Sequence, residues 1–501
     1  MSRGAGVLMH IASLPGKFGI GSFGNEAYEF ADFIKKAGLK YWQILPLGHT
    51  GYGDSPYQCF SAFAGNPYFI DFEQLKDDGL LEEKDYVNKN FGSRRDSIDY
   101  GRLFEIKYEI LRKAYENYKK DQSKLEKEFN KFKNEKAFWL EEYALYMSVK
   151  YTFDLKGWNK WDDDIKRREP KAMAKYKEEL KDDIEYWSFI QFLFYKQWYK
   201  LKDYVNSLGI KFIGDIPIYV AEDSVDTWSA PKNYKIDKET MKPIVVAGCP
   251  PDAFSETGQL WGNLIYDWDY MKETNYKWWL LRIKESLELY DVLRIDHFRG
   301  FESFWEIPYG DKTAINGKWV KGPGIDLFNT IKKELGEVDI IAEDLGFLTD
   351  DVKEFLKEAG FPGMRILQFG FDGDPDNIYL PHNYIENSIA YTGTHDNDTF
   401  VGWYEKTGNK RETKRAKQYL GLNSKEGCNW GFIRGILASN SDIAIVPFQD
   451  FLGLGAEARV NIPSTLGGNW VWKAKKEEIN NNLATKIYKY VRMFGRCDIN
   501  E

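Results

Sequence analysis

Eight short apolar runs recur along the chain, and most of them are followed by a helical or loop-rich segment. They lie at residues 5–10, 41–47, 211–220, 292–298, 340–346, 364–371, 388–394 and 442–449. Because the runs are apolar almost throughout, they are typical of parallel strands that are covered on both faces. Helical patterns follow the first run, at 25–39, and the fifth, at 349–360, where Thr349 is a predicted N-cap and Gly360 a predicted C-cap. Eight strands that alternate with helices predict an α/β fold, a (β/α)8 barrel.

Two gaps between these runs are longer than the roughly 30 residues of a plain βα unit. In the first gap, apolar residues every three or four positions from 103 to 118 mark one face of a helix, with lysines and glutamates on the other face. We therefore predict a single barrel domain over residues 1–501 with large, mainly helical insertions. One insertion, at 75–200, is a helical subdomain between the second and third strands. A smaller one, at 225–290, separates the third and fourth strands and contains the segment 247–263.

Composition and charge exclude several classes of protein. The 501 residues carry a formal net charge of −8 without a concentrated basic patch, so we expect neither nucleic acid nor an anionic membrane as a partner. No run of apolar residues is long enough for a membrane span, and the N-terminus lacks the layout of a signal peptide. The four cysteines lie far apart with no CxxC pair, which favours free thiols in a reducing cytoplasm.

Aromatic residues make up 16% of the chain. A large aromatic core would explain this fraction. A sugar-binding cleft would also explain it, because flat rings stack on the apolar faces of pyranoses and the polar tips of Tyr and Trp bind hydroxyls. Composition alone favours the core.

Polar side chains stand at the C-terminal ends of several predicted strands, where barrels carry their chemistry. They are Asp215 on the third strand, Arg294 and Asp296 on the fourth, Glu343 on the fifth, and His395 and Asp396 on the seventh. Helix capping explains Asp296 and Glu343 poorly, because both lie within or directly after a strand, before a helix can begin. His297 follows Asp296, so strand alternation directs it to the other face and we interpret it as structural.

Clustered carboxylates suit either a metal site or the cleavage of glycosidic bonds. Arg294 argues against a metal, because its fixed charge would compete with the ion, and the chain has only five histidines. Glycosidic cleavage needs one ionised carboxylate and one carboxylic acid with a raised pKa. Asp296 beside Arg294 suits the first role and Glu343 the second. Neighbouring strands about 4.8 Å apart are compatible with the roughly 5–5.5 Å between the carboxyl groups of a retaining enzyme.

Eight motifs, in order over nearly the whole length, resemble the 4-α-glucanotransferases of glycoside hydrolase family 77, which belong to the α-amylase clan. They are "GYGDSPYQCFSAFAGNPYFID" (51–71), "GDIPIYVAEDSVDTW" (214–228), "VAGCPPDAFSETGQLWGN" (246–263), "LRIDHFRGF" (293–301), "AEDLG" (342–346), "LPHNY" (380–384), "YTGTHDNDT" (391–399) and "GNWVW" (468–472). The resemblance implies a retaining (β/α)8 enzyme that moves α-1,4-glucan segments from a donor maltooligosaccharide to the 4-hydroxyl of an acceptor glucan or glucose. It implies no cofactor and no metal. For the oligomeric state, we expect a monomer or a weak homo-oligomer.

The resemblance also implies roles for single residues. Asp296 would be the nucleophile, Glu343 the general acid/base, and Asp396 the carboxylate that stabilises the transition state. The residues that would bind substrate are Tyr57, Asp215, Arg294, His395 and Asn461 around the cleaved bond, Gln259 and Trp261 on an acceptor-side loop at 247–263, and Tyr52 at a second, remote glucan site. Leu264 departs from the family's proline, and without that proline we expect a looser acceptor-side loop.

Two alternatives remain open at this point. One is an α-amylase-type hydrolase, which would resolve the same covalent intermediate with water instead of a sugar. The other is a glucan-binding protein on the same fold without catalysis.

Overall fold

The computed structural model describes residues 2–251, 255–346, 348–465 and 467–498. The strands of this part are β1 (Gly4–Leu8), β2 (Tyr41–Gln43), β3 (Lys211–Pro217), β4 (Val245–Cys249), β5 (Gln259–Leu264), β6 (Val292–Asp296), β7 (Ser303–Pro308), β8 (Lys318–Lys321), β9 (Ile340–Ala342), β10 (Gly363–Ile366), β11 (Ser388–Tyr391) and β12 (Ile443–Pro447).

The α-helices lie mostly between these strands. They are α1 (Asn25–Lys36), α2 (Phe72–Asp77), α3 (Tyr100–Lys120), α4 (Glu126–Thr152), α5 (Asp163–Lys166), α6 (Pro170–Glu179), α7 (Lys181–Ser207), α8 (Val225–Ser229), α9 (Trp268–Glu273), α10 (Lys277–Leu289), α11 (Ile325–Leu335), α12 (Asp350–Ala359), α13 (Phe400–Gly402), α14 (Lys410–Leu420), α15 (Cys428–Leu437), α16 (Phe448–Leu452) and α17 (Asn481–Met493). None of the described helices combines the length and the apolar character that crossing a bilayer requires.

Eight strands form a closed parallel barrel in the order β1-β12-β11-β10-β9-β6-β3-β2. Each of the eight apolar runs overlaps one of these strands, so the predicted (β/α)8 fold is confirmed. The strands are shorter than the runs, because the chain leaves the sheet at its C-terminal end to form the loops of the barrel mouth. Thr349 and Gly360 flank α12 as predicted; Gly360 has a left-handed φ of 73°, whereas the Thr349 side chain makes no capping hydrogen bond.

The interior of the barrel is packed with apolar side chains. Tyr41, Ile213, Val292, Ile341 and Ile443 belong to one fully or nearly fully buried cluster that the strands direct inward. Because this cluster fills the barrel, a ligand has access only to its mouth.

Of the long helices between β2 and β3, α7 packs against both α3 and α4. Aromatic rings fill the space between them; Tyr118 of α3 stacks on Phe189 of α7 with ring centroids 4.4 Å apart. Helix α7 ends immediately before β3 and also contacts β3 and α1. One helix is therefore shared between the insertion and the barrel.

A second sheet, which the sequence patterns did not predict, stands beside the barrel mouth. Its four antiparallel strands follow the order β5-β4-β7-β8. The segment expected to be a loop, 247–263, instead contributes to the strands β4 and β5, although its residues 252–254 lie outside the described part. Leu264 ends β5, where it is fully buried and pairs with Val246. The residue that departs from the family's proline thus lies in a strand ladder and not at a free loop end.

Candidate active site

The register of the barrel strands brings the predicted polar residues together at the mouth. Asp215 on β3 pairs with Arg294 on β6. Ile295 pairs with Ala342, so the residues that follow these two, Asp296 and Glu343, are neighbours at the ends of adjacent strands. The peptide N–H of Glu343 donates to the carbonyl of Ile295 at 3.2 Å, which extends the ladder to this point.

Arg294 connects two carboxylates. Its Nη1 donates to Asp215 Oδ2 at 2.6 Å and its Nη2 donates to Asp296 Oδ1 at 2.7 Å. Burial raises the pKa of Asp215, and the charge of Arg294 opposes that rise. Arg294 is only 3% exposed, whereas the Asp296 side chain is 30% exposed at the mouth. The guanidinium therefore orients Asp296 towards the open side of the site and complements its negative charge.

Glu343 has a different environment from Asp296. Burial, together with the nearby charge of Asp296, raises the pKa of Glu343 to about 8. Two backbone N–H groups oppose the rise: that of His297 donates to Oε2 at 2.6 Å and that of Leu345 donates to Oε1 at 2.9 Å. Glu343 consequently carries a proton at neutral pH, as a general acid must.

His297 borders the site, and the strand alternation on which its predicted direction rests does not extend to it; its structural role stays a prediction. Strand β6 ends at Asp296, and His297 adopts a left-handed conformation with φ 54°, so strand alternation no longer applies. This conformation directs the backbone N–H towards Glu343. It also places the imidazole 4.8 Å from the indole of Trp261, edge to face. Apolar periodicity does not mark the residue at which a strand stops, so it could not reveal this turn.

A second group of residues surrounds the third carboxylate, Asp396. Asn461 Nδ2 donates to Asp396 Oδ1 at 2.6 Å, and His395 Nε2 lies 3.4 Å from the same oxygen. The Tyr57 ring stacks on His395 with centroids 5.1 Å apart and planes 17° apart. Its hydroxyl donates to Asp215 Oδ2 at 2.8 Å, which joins this group to the Arg294 pair.

Two further residues near Asp396 have no role in the sequence-based prediction. Both lie in or near segments that the prediction includes. The Trp470 ring lies 5.9 Å from the rings of both Tyr57 and His395, and it belongs to the motif "GNWVW". Arg459 Nη2 donates to the carbonyl of Asp396 at 2.6 Å. Arg459 lies two residues before Asn461, and this spacing was the only indication in the sequence that it could lie near Asp396.

The predicted acceptor-side residues lie on β5. Gln259 and Trp261, two positions apart, share one face of the strand, and Trp261 Nε1 donates to Gln259 Oε1 at 3.1 Å. Trp261 on this face contacts the ring of His297. His297 in turn follows Asp296 and donates its backbone N–H to Glu343, so the face lies next to both residues. Tyr52, in contrast, is fully exposed on the loop between β2 and α2, and none of the contacts around the three carboxyl groups involves it.

The carboxyl chemistry of this site is that of glycosidic-bond cleavage. It combines a carboxylate paired with arginine, a protonated acid on the adjacent strand and a third carboxylate that accepts a hydrogen bond from the Asn461 amide. Within the described ranges, His, Cys, Asp and Glu side chains form no group of three or more that could hold a metal ion.

Comparison with known proteins agrees with this chemistry. Residues 9–479 match the sequence model of glycoside hydrolase family 77, described as 4-alpha-glucanotransferase. The 4-alpha-glucanotransferase of Clostridium butyricum is 58% identical over 490 residues, which cover 98% of this chain and 100% of the relative. That of Thermus thermophilus is 44% identical and covers 97% of this chain and 98% of its own.

The fold agrees with that of a solved structure as well. Amylomaltase from Streptococcus agalactiae, solved in complex with acarbose, superposes with a TM-score of 0.96 at 44% identity and covers 99% of this chain and 100% of its own. The match of the family model and the identity to these relatives both extend over almost the entire length. The chain therefore belongs to glycoside hydrolase family 77, the family of the 4-α-glucanotransferases.

Proposed function

We propose that this protein transfers α-1,4-glucan segments from a donor maltooligosaccharide to the 4-hydroxyl of an acceptor glucan or glucose. The observation that carries the proposal is the neighbouring pair of Asp296, hydrogen-bonded to Arg294, and Glu343, whose raised pKa keeps it protonated. Membership of the family supports the same activity.

The first step forms a covalent intermediate. The Asp296 carboxylate attacks the anomeric carbon of the donor and Glu343 gives its proton to the leaving glycosidic oxygen, so that the reducing-end fragment departs as an alcohol. In the second step Glu343, now ionised, takes the proton of the acceptor's 4-hydroxyl, which attacks the anomeric carbon and releases Asp296. Two inversions retain the α-configuration, and the Glu343 proton is restored.

The residues around this pair bind and distort the glucose unit at the cleaved bond. Asp396, held by Asn461, accepts hydrogen bonds from sugar hydroxyls and strengthens them as positive charge develops on the ring. Tyr57, fixed between His395 and Asp215, offers a flat ring for stacking. Burial lowers the pKa of His395, so its imidazole meets the sugar uncharged.

Transfer prevails over hydrolysis when the acceptor is held and water is excluded. Trp261 and Gln259 on β5 supply this acceptor side, with the Trp261 ring supported by His297. These two side chains favour a transferase over the alternative, an α-amylase-type hydrolase.

Incubation with maltotriose distinguishes the two activities. A transferase makes glucose together with a ladder of longer oligosaccharides, which chromatography resolves. A product set with nothing longer than maltotriose contradicts the transferase and supports the hydrolase.

Substitution of the carboxyl pair tests catalysis itself. Asp296→Asn and Glu343→Gln are each expected to lower kcat on maltotriose by several orders of magnitude, because each removes one member of a unit that acts together. Asp350→Asn, a fully exposed position at the start of α12, is the control and is expected to keep full activity. Unchanged activity in both catalytic variants supports the non-catalytic glucan-binding protein instead.

Three further assignments belong to this proposal. Tyr52, exposed on its loop, contributes to a second glucan site away from the centre. The enzyme acts as a monomer or a weak homo-oligomer. It works in the cytoplasm, a location that the cysteine spacing supports.

A further inference from the structure

Strand β5, which carries the proposed acceptor residues, contains a bulge. Its register with β4 places three residues of β5, 261–263, opposite Ala247 alone. Gly262 in the middle has a left-handed φ of 77°, and a Cβ there would meet nothing within 4 Å. The backbone conformation, and not a lack of space, therefore favours glycine at this position. Because a bulge redirects the side chains around it, Trp261 and Asn263 are released from the alternation of a regular strand.

Asn263, at the end of the bulge, forms hydrogen bonds with two other segments of the barrel mouth. It is buried, with 6% of its surface exposed. Its Oδ1 accepts from Gln58 Nε2 at 3.0 Å, and its Nδ2 donates to the carbonyl of Val220 at 3.0 Å. Gln58 directly follows Tyr57, and Val220 belongs to the loop after β3. One buried amide thus connects the strand of the acceptor residues to two loops of the barrel.

The loop that contains Gln58 is fixed by its own hydrogen bonds. The backbone N–H of Gly51 donates to the carbonyl of Gln58 at 3.0 Å, and that of Phe60 donates to the carbonyl of His49 at 2.8 Å. The neighbouring side chain of Tyr57 is held by a ring stack and by the hydrogen bond of its hydroxyl. Gln58 therefore offers β5 an anchor that does not depend on the small sheet.

Trp261 lies at the other end of the same bulge. Its ring meets the imidazole of His297 edge to face, with centroids 4.8 Å apart. An aromatic contact of this kind is weak by itself, so the position of the indole also depends on how firmly the bulge is held. The hydrogen bonds of Asn263, two residues away, are buried, and a buried polar group is costly to leave without its partner.

We propose that Asn263, through its hydrogen bond with Gln58, is a positioning residue that holds the bulge of β5 against the Tyr57 loop and so keeps Trp261 in place for the acceptor. This inference rests on the proposed function, because only a transferase has to position an acceptor sugar. A sugar needs the surface of Trp261 to resolve the covalent intermediate, whereas water does not. The Gln58–Asn263 bond therefore sets the ratio of transfer to hydrolysis.

The partition of the covalent intermediate between glucose and water measures this role. The donor is an α-maltotriosyl fluoride whose non-reducing 4-hydroxyl is blocked, so that it cannot itself accept; Asp296 displaces fluoride from it. Chromatography gives the ratio of the blocked tetrasaccharide, made by transfer, to the blocked trisaccharide, made by hydrolysis. Asn263→Ala is expected to lower this ratio about fivefold at a given glucose concentration, the effect of one lost hydrogen bond on acceptor binding. The rate of the fluoride burst is expected to change less than about twofold.

A double variant tests whether the two side chains act as a pair. Gln58→Ala, at a half-buried position, removes the other partner and is expected to lower the ratio by a similar factor. The double variant with Asn263→Ala is expected to lie within about twofold of the more affected single variant, because both changes remove the same bond. A double variant whose ratio falls by the product of the two single effects shows independent roles and overturns the pair.

Tyr266→Phe is the matched control. The hydroxyl of Tyr266 donates to the carbonyl of Ile218 at 2.8 Å, in the loop that also contains Val220. The variant therefore removes a buried hydrogen bond to the same loop but leaves Gln58 untouched, and it is expected to keep the wild-type ratio. An equal fall of the ratio in this control, or an unchanged ratio in Asn263→Ala, overturns the positioning role. A wild-type protein that gives only the hydrolysis product at every glucose concentration contradicts the proposed transferase function itself, which is a different result.

Discussion

Asp296 and Glu343 carry the same chemical group on neighbouring strands, and their different surroundings support the different tasks that we propose for them. Asp296 accepts a hydrogen bond from Arg294 at 2.7 Å. Glu343 is buried next to Asp296, which raises its pKa to about 8. A protonated acid beside a carboxylate is the arrangement that glycosidic cleavage needs. The difference arises from one arginine and from the depth of burial.

The raised pKa of Glu343 predicts the pH dependence of the enzyme. The first step needs the protonated form, so kcat/KM on maltotriose is expected to fall about tenfold per unit as the pH rises above about 8. In Glu343→Gln this limb disappears. With a fluoride donor, whose leaving group needs no proton, the wild-type formation of the covalent intermediate is expected to stay level through the same range. Stopped-flow measurement of the fluoride burst checks this, and a burst rate that falls in parallel with kcat/KM contradicts the role of Glu343 as the acid.

Among single residues, the charged side chains at strand ends could be recognised in the sequence, but the backbone turns that follow them could not. Arg294, Asp296 and Glu343 stand out because burying a charged side chain beside an apolar strand is costly unless that charge is paired. The left-handed φ of 54° at His297 could not be predicted, because it depends on the turn that closes over Glu343.

The small antiparallel sheet carries Gln259 and Trp261, the two residues of the proposed acceptor side. Strands β4 and β5 approach each other closely at Gly248, where a Cβ would stand 2.2 Å from the carbonyl oxygen of Gln259 and 2.6 Å from Ile307 Cδ1. Only glycine fits there without a backbone shift. The position of Trp261 on β5 thus depends on Gly248, a residue whose close contacts are with the sheet itself.

Gly248→Ala is expected to displace β5 and to weaken acceptor binding. The clash with a backbone oxygen should cost about 1–3 kcal/mol of unfolding free energy and raise KM for glucose as acceptor. Urea unfolding and fluoride-release kinetics measure the two effects. Gly101→Ala on α3, where only ordinary contacts surround the new Cβ, is the control and is expected to stabilise by about 0.5 kcal/mol. An unchanged KM in Gly248→Ala would show that the acceptor side does not depend on this close approach.

The barrel strands could be predicted as elements, whereas this sheet could not. The eight parallel strands are buried on both faces and read as apolar runs. The strands β4 and β5 contain glycines and have no clear alternation. Their partners β7 and β8 follow a barrel strand, about 50 residues further along the chain, so nothing local indicates the pairing.

In the whole molecule, the inserted helices are joined to the barrel by a buried ion pair. Lys136 of α4 contacts Glu285 of α10 at 2.7 Å, and both side chains are less than 10% exposed. The same ammonium also reaches Glu288, which is partly exposed, at 2.6 Å. Helix α10 leads directly into β6, so this contact links the insertion to the strand that carries Asp296.

Lys136→Met is expected to lower the unfolding free energy by about 3–5 kcal/mol, because it leaves the Glu285 carboxylate buried without its partner. Denaturant unfolding measures the loss. The double variant with Glu285→Leu is expected to recover much of it, since no buried charge then remains. Lys131→Met, on the exposed face of the same helix, should change stability by less than about 0.5 kcal/mol. A loss of similar size in both single variants would contradict the importance of burial.

The sequence by itself determined the barrel and the residue types of its mouth, because strand periodicity, helix patterns and charges at strand ends are local properties. The tertiary structure decided which carboxyl groups meet, how deeply each is buried, and where the chain turns. The closeness of Asp296 to Glu343 depends on the register of two strands more than 40 residues apart. The pKa of Glu343 and the contact of Trp261 with His297 depend on burial and on neighbours contributed by distant segments. These are properties of the packed molecule, so no pattern along the chain can contain them.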